Sequence, residues 1–284
     1  MVYSDPPWVF KGRALYQLQL VKTEEAKKYI PSAFRIVSLF GYTLGGFYLA
    51  RYSDSPVGAF EELVALAGIV WNPPLSCAWA ARVYVNNSEA RAHGRKHCGL
   101  PSRLASFAEV STGASERRRR RTPPSWWHQG EADAGSASDA SPKIVLHNNE
   151  RRSWLQPWKG SSEALQAPVC SMDLPPGAGK DWAGPRIRMQ LPSFSGAIAE
   201  CPQLLQYACQ LCTNVRPVPA AHVMADHSSS QEALGGILGG RPVLTLAFDD
   251  MEMMVSKPVV LKIHREQEAE QQTSQHALAW AMQN

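Results

Sequence analysis

The chain has 284 residues, 44% of them hydrophobic, and a net charge of +4 at pH 7. That length can bury one substantial core. Its longest apolar run, Leu63 to Trp71, falls far short of the roughly 20 residues a membrane-spanning helix needs, so no membrane span is expected. Five arginines form one run, Arg117 to Arg121, which leaves the rest close to neutral and gives little support to a nucleic-acid role.

In chain order, the opening MVYSDPPWVF carries no Arg-rich or Ser-rich amphipathic leader, so no transit or signal peptide is expected and the compartment is left open. Tyr16, Leu18 and Leu20 alternate with Gln17, Gln19 and Val21, the two-residue period of a half-buried strand. A two-turn helix follows, with Thr23 as its expected cap, Glu24 and Glu25 in the first turn, Lys27 and Lys28 near the end, and Pro31 as the stop. Gly41 to Tyr52, Leu63 to Trp71 and Ala81 to Val85 read as strands, the last ending at an Asn86-Asn87 turn. The pattern returns at Ile187 to Leu191, Cys209 to Val215, Leu244 to Phe248 and Val259 to Ile263. Many strands with few helices predict a sheet that closes or folds on itself.

Residues 111–142 have no periodicity and are heavy in Arg, Ser, Gly, Ala and Asp, so a disordered insertion within one domain spanning 1–284 is expected. The segments 177–184 and 227–240 read as shorter loops, and 266–284 as a frayed terminal helix. Six scattered cysteines read as reduced thiols, because a chain this long does not need disulfide staples.

Several motifs fail on inspection. The Arg117 to Arg121 run, with Trp126 and Trp127 nearby, is better read as a solvated charge block than as a phosphate-binding patch. PPGAGK, at Pro175 to Lys180, lacks the first glycine of a phosphate loop and has Asp181 where Ser or Thr should follow. Cys209 and Cys212 lie three apart on an expected strand and so point to opposite faces. His93 and His97 have the spacing of a helical metal pair, but Gly94 and the following Gly99-Leu100-Pro101 argue against a helix there. No Ser/His/Asp ordering and no GxSxG elbow is present. No metal or cofactor is expected. What remains is GRKHCGLPSRL, Gly94 to Leu104, read as a polar loop after a strand.

That segment is similar to the GRExxxxPKK region of acetoacetate decarboxylase, in which a lysine after the proline forms the substrate Schiff base. Pro101 is kept here, and Ser102-Arg103 replaces the lysine pair. Neither a hydroxyl nor a guanidinium can form that imine, and Lys96 stands where the family has glutamate and is not expected to replace it. PPWVFKGRALY and GAFEEL resemble the strands that present the family's pocket arginine and glutamate, which implies pocket roles for Arg13 and Glu62.

The phrases GYTLGGFYLARY, AGIVWNPPLSCAWAARVYVN, GRKHCGLPSR, LPSFSG and VRPV resemble the neoxanthin-deficient family of plants and algae, within the same superfamily. The fold this implies is α+β and mainly antiparallel β, a cone or barrel of two curved sheets with a few short helices. The implied pocket is lined by Arg13, Glu62, Arg95, Ser102 and Arg103, with Glu62 the candidate acid or base. The implied role is that of a non-decarboxylating accessory protein required to make neoxanthin from violaxanthin, upstream of abscisic acid, binding a xanthophyll or related apolar ligand. The alternative is a lyase or isomerase acting without a Schiff base through Glu62 and Arg13. Whether the chain is an enzyme, and whether it forms a homo-oligomer, is left open by the sequence.

Overall fold

The computed structural model describes residues 4–110, 143–149, 168–175, 184–225 and 234–263. The first half builds β1 (Trp8–Lys22), α1 (Thr23–Lys27), β2 (Arg35–Ile36), β3 (Tyr42–Asp54), β4 (Phe60–Asn72), β5 (Leu75–Val85), α2 (Ser88–Cys98) and β6 (Ser102–Val110). It is followed by β7 (Lys143–Asn148), β8 (Cys170–Asp173), β9 (Arg186–Ile198), β10 (Cys201–Pro217), β11 (His222–Ala225), α3 (Gly235–Leu238), β12 (Arg241–Val255) and β13 (Val259–Val260).

Hydrogen-bonded neighbours run β11-β8-β7-β6-β5-β4-β3-β1-β12-β10-β13, with β2 added to β4 and β9 to β10. Among the described pairings β5 with β6 is parallel and the others are antiparallel. β1 pairs with both β3 and β12, so the N-terminal strand joins the two halves of the sheet. The sheet curls until β5 and β9 approach each other. This is the expected fold class, α+β and mainly antiparallel β with a curved sheet and a few short helices.

The alternation in β1 separates two faces. Leu15 and Val21 join the main core, which also takes Phe34, Phe47, Trp79 and the α3 residues Ile237 and Leu238. Gln17 is tolerated in the interior on that side because its amide is hydrogen-bonded at both ends: Nε2 donates to Ala221 O (3.1 Å), while Oε1 accepts from Ala221 N (2.7 Å) and Thr245 Oγ1 (3.0 Å). Such pairing offsets the cost of burying a polar group. Ala14 and Tyr16 face the other way, into a second apolar cluster with Tyr48, Tyr52, Phe60 and Phe248.

Four local readings are corrected. Thr23 is the first residue of α1 and not its cap: the cap position falls on Lys22, and no side chain caps the helix. His93 and His97 lie in a helix after all. The Asn87 side chain accepts from Glu89 N and Ala90 N at 2.9 and 3.0 Å, and Gly99 closes the helix in the left-handed conformation at φ 60°. The expected loop at 227–240 contains α3, and the strand expected at Val259 to Ile263 covers Val259–Val260 only. The insertion at 111–142, most of 177–184 and the expected terminal helix at 266–284 lie outside the described residues.

Candidate active or ligand-binding site

A cavity of about 430 Å³ lies inside the curl, walled by β1, β3, β4, β5, β9, β10 and β12 and closed at one side by α2. Its wall is largely apolar, including Phe10, Phe60, Val83, Leu211 and Phe248. A few polar groups converge on it: Glu62, Tyr48, Tyr52, His93, Ser102 and Tyr207. No lysine or arginine is among the described lining residues.

Glu62 is placed by register. On β4 it faces Ala50 of β3 and Val85 of β5, and the Tyr52 hydroxyl reaches across to donate a 2.8 Å hydrogen bond to its Oε2. Tyr48 lies four residues back along β3 on the same face. Its hydroxyl stands 3.5 Å from that of Tyr52 and 3.2 Å from Met251 Sδ. Glu62 is partly accessible, and since it lines the cavity, that access is to the cavity. Loss of bulk hydration raises its carboxyl from 4.5 to about 7, and the Tyr52 hydrogen bond opposes only part of the rise. Burial likewise raises both tyrosines, so their hydroxyls stay protonated donors. The result is a neutral-to-anionic carboxyl with two phenols beside it, able to bond an oxygen or deliver a proton.

α2 brings His93 and Cys98 to the wall. His93 packs edge-on against Trp8 at 4.4 Å and stacks on His97 at 5.0 Å, the consequence of four-residue spacing on a helix. Burial, then the neighbouring His97, lowers His93 to about 4, so it is neutral near pH 7. Three free thiols, Cys77, Cys98 and Cys209, also line the cavity, and burial raises each; Cys77 and Cys98 are pushed up to about 12. Raised thiols are poor nucleophiles. Cys209 faces the cavity whereas Cys212 does not line it, as strand alternation requires.

Ser102 opens β6, is buried, and lines the cavity. It fits because Gly94 has no side chain: a Cβ at Gly94 would stand 2.7 Å from Ser102 Oγ. The helix therefore tolerates its glycine for a packing reason that the segment by itself does not display.

Of the residues that sequence reasoning assigns to the pocket, Glu62 and Ser102 meet there, and three arginines are placed elsewhere. Arg13 stands opposite Arg51 in the β1–β3 register, and Arg51 adjoins Tyr52. Neighbours along a strand point to opposite faces, so Arg13 shares the face away from Tyr52. Arg95 turns from the last turn of α2 to the β9–β10 turn. Its Nε and Nη2 each bond Glu200 at 2.7 Å, and its Nη1 bonds Ser102 O at 2.9 Å. It anchors the wall without lining it. Arg103 follows Ser102 on β6, points away from the cavity by alternation, and stands near Tyr84. The residues missed from the sequence were Tyr48, Tyr52, Tyr207, His93 and the cavity cysteines. FYLARY carries a usable signal, since positions 48, 50 and 52 share one strand face.

No family model matches the chain. Among solved structures, the fold is similar to an acetoacetate decarboxylase with a TM-score of 0.54 at 12% identity, covering 92% of each chain. It is also similar to the enduracididine biosynthesis enzyme MppR complexed with pyruvate, with a TM-score of 0.52 at 13% identity and 92% of each chain covered. At such identities the likeness shows the fold. The sequence is 41% identical to rice Protein NEOXANTHIN-DEFICIENT 1 over 91% of this chain and 90% of that one. It is 40% identical to the Arabidopsis thaliana protein of that name over 91% and 95%, and 37% identical to the tomato protein over 91% and 93%. With this identity along nine-tenths of its length, on an acetoacetate-decarboxylase-like fold, the chain belongs to the NEOXANTHIN-DEFICIENT 1 family.

Proposed function

We propose that this protein serves neoxanthin formation as a non-decarboxylating accessory protein, holding an oxygenated end ring of a xanthophyll such as violaxanthin in the cavity. The observation that carries this reading is the Glu62 carboxyl, the one carboxyl among the described lining residues, hydrogen-bonded by Tyr52 within a largely apolar wall. Glu62 and the Tyr48 and Tyr52 hydroxyls would bond the ring oxygen, while the aromatic and aliphatic wall covers the ring. About 430 Å³ is in the lower part of the roughly 300–1,000 Å³ range of small-molecule pockets, the size class of one ring and not of a whole carotenoid. The names of the relatives supply the pathway.

Decarboxylation through an imine is disfavoured because that chemistry needs a primary amine and the described cavity wall holds none. Borohydride reduction with acetoacetate or pyruvate is expected to trap no adduct.

The decisive experiment measures violaxanthin binding to purified protein through the shift of its visible absorption, with Glu62→Gln, Glu62→Leu and Tyr52→Phe alongside. Tighter binding by the wild type than by Glu62→Leu is expected, together with failure of Glu62→Leu to restore neoxanthin in a disruption strain. A disruption strain with normal neoxanthin, or equal binding by all variants, would overturn the reading.

A second reading is noncovalent catalysis, favoured by the titration of Glu62 near neutrality. Glu62 would give its proton to an epoxide oxygen as the ring C–O bond breaks, and the proton leaving the adjacent chain carbon would return to the Glu62 carboxylate, so the net change is an isomerisation. Tyr52 would steady the forming hydroxyl, a task that Arg13 cannot take from the far face of β1. Purified protein that leaves violaxanthin unchanged, with Glu62→Gln still complementing, removes this reading and leaves binding intact.

A further inference from the structure

We infer that the rim of the cavity is a docking surface for an anionic membrane, made by the turn at Leu39-Phe40 together with Trp71. Phe40 is 91% exposed and Leu39 is 70% exposed, at a turn closed by a Leu39–Tyr42 bridge with Phe40 at φ 50° and Gly41 at φ 80°. Two large apolar side chains at the tip of a tight turn are not there to fill a core.

Trp71 connects this tip to the cavity. On β4 it is paired with Arg35 of β2 on one side and Ser76 of β5 on the other, so the three share one face of the sheet. Ser76 is exposed and also lines the cavity, which makes it a rim residue. Trp71 is 42% exposed, and the Arg35 guanidinium lies over its ring at 5.6 Å. Leu191, 45% exposed on β9, lines the cavity and carries the apolar rim across to the opposite wall.

The charge around this patch has one prevailing sign. No Asp or Glu occurs between Ala26 and Ser53 or between Leu63 and Ser88, the segments that build the tip and its neighbours. Lys22 pairs with Tyr42 at the base of the turn, Lys262 O accepts from Asn72 Nδ2 beside Trp71, and Lys257 shares a groove with Leu75. The adjoining carboxylates are Glu24 and Glu25 of α1, whose first amide, Thr23 N, bonds Gly41 O; Glu25 is held by Lys28 at 2.8 Å. Exposed Phe and Leu tips, an interfacial Trp and Tyr, and neighbouring cations form the pattern that seats a peripheral protein at the headgroup level of an anionic bilayer. Docked this way, the protein sets its cavity mouth against the lipid in which an apolar ligand dissolves. The inference stands on the surface alone and does not require the cavity's ligand to be a xanthophyll.

The test is co-sedimentation of the full chain with vesicles of phosphatidylcholine alone and of phosphatidylcholine mixed with phosphatidylglycerol. The wild type should sediment with the mixed vesicles, less so at high salt. Leu39→Ser/Phe40→Asn should bind roughly tenfold more weakly or worse, given the apolar surface removed. Asparagine suits the left-handed backbone at position 40, and unchanged thermal unfolding checks that the variant folds. Three results overturn the inference: wild-type protein left in the supernatant, unchanged binding by the double variant, or a concentration-dependent dimer that the double variant abolishes, which would assign the patch to a second copy of the chain. Loss of vesicle binding with violaxanthin binding retained in solution would leave the cavity reading untouched.

Discussion

The Tyr52 hydroxyl donates a 2.8 Å hydrogen bond to Glu62 Oε2 between adjacent strands, inside a cavity whose wall is otherwise mostly apolar. That bond favours the carboxylate and opposes desolvation, which pushes the group up to about 7. Tyr52→Phe should therefore raise the Glu62 pKa further. Carboxyl carbon chemical shifts followed by NMR against pH report it directly, and an unchanged or lowered value would mean that the hydrogen bond does not tune this acid.

Glu62 and His93 should give opposite pH dependences of stability. Glu62 rises from 4.5 to about 7 in the folded protein, so its contribution is fully present below 4.5 and is lost as pH climbs through 7. His93 falls from 6.5 to about 4, so its contribution is present above 6.5 and is lost as pH drops through 4. Between about pH 4.5 and 6.5 the two nearly cancel. Glu62→Gln should then gain stability with rising pH across this window, and His93→Gln should lose it, each by on the order of 2 kcal/mol. Urea denaturation at four or five pH values tests it, and parallel profiles for the two variants would be inconsistent with it.

Gly94 and Ser102 should be energetically coupled. Alanine is the better helix former by about 1 kcal/mol, yet its Cβ at 94 would meet Ser102 Oγ at 2.7 Å. Gly94→Ala should therefore destabilise the wild type. In a Ser102→Ala background the nearest Ser102 atom is Cβ, at 3.6 Å, and the same change should stabilise by up to about 1 kcal/mol. Equal effects in both backgrounds would show the contact to be relaxed at no cost.

Arg95 and Glu200 hold the cavity wall together from outside it. The fork between them joins three further ties at the end of α2: Arg95 Nη1 to Ser102 O, Ser195 Oγ to Cys98 O at 2.6 Å, and Gly196 N to Gly99 O at 2.9 Å. Arg95→Ala and Glu200→Ala should each lower the melting temperature, and the double variant should cost less than their sum. Arg95→Lys should not restore stability, because an ammonium cannot match the two carboxylate oxygens in one plane. Ligand affinity should fall with Arg95→Ala even though this residue does not line the cavity, since His93 and Cys98 ride on the same helix.

Much was legible along the chain. The strand at Tyr16 to Val21 and the opposite orientations of Cys209 and Cys212 follow from a two-residue period, and the strands at Gly41 to Tyr52 and Leu63 to Trp71 from aromatic, glycine-rich and continuous apolar composition, none of which needs a distant partner. Longer phrases such as GYTLGGFYLARY carried the family and, through it, the fold. The helix over Ser88–Cys98 was missed because Gly94 argues against helix in isolation, and its reason is a serine on another element.

The sequence by itself determined that the chain is built mainly of strands, which family it belongs to, and that Ser102 is no Schiff-base residue, because each of these rests on local pattern or residue chemistry. Only the tertiary structure decided which side chains share a space. Register across β1, β3 and β4 put Tyr52 and Glu62 in contact and turned Arg13 to the other face, and the β9–β10 turn drew Arg95 out to Glu200. Such pairings join strands distant in sequence, and a shift of one residue in any of them would reverse the face each side chain takes.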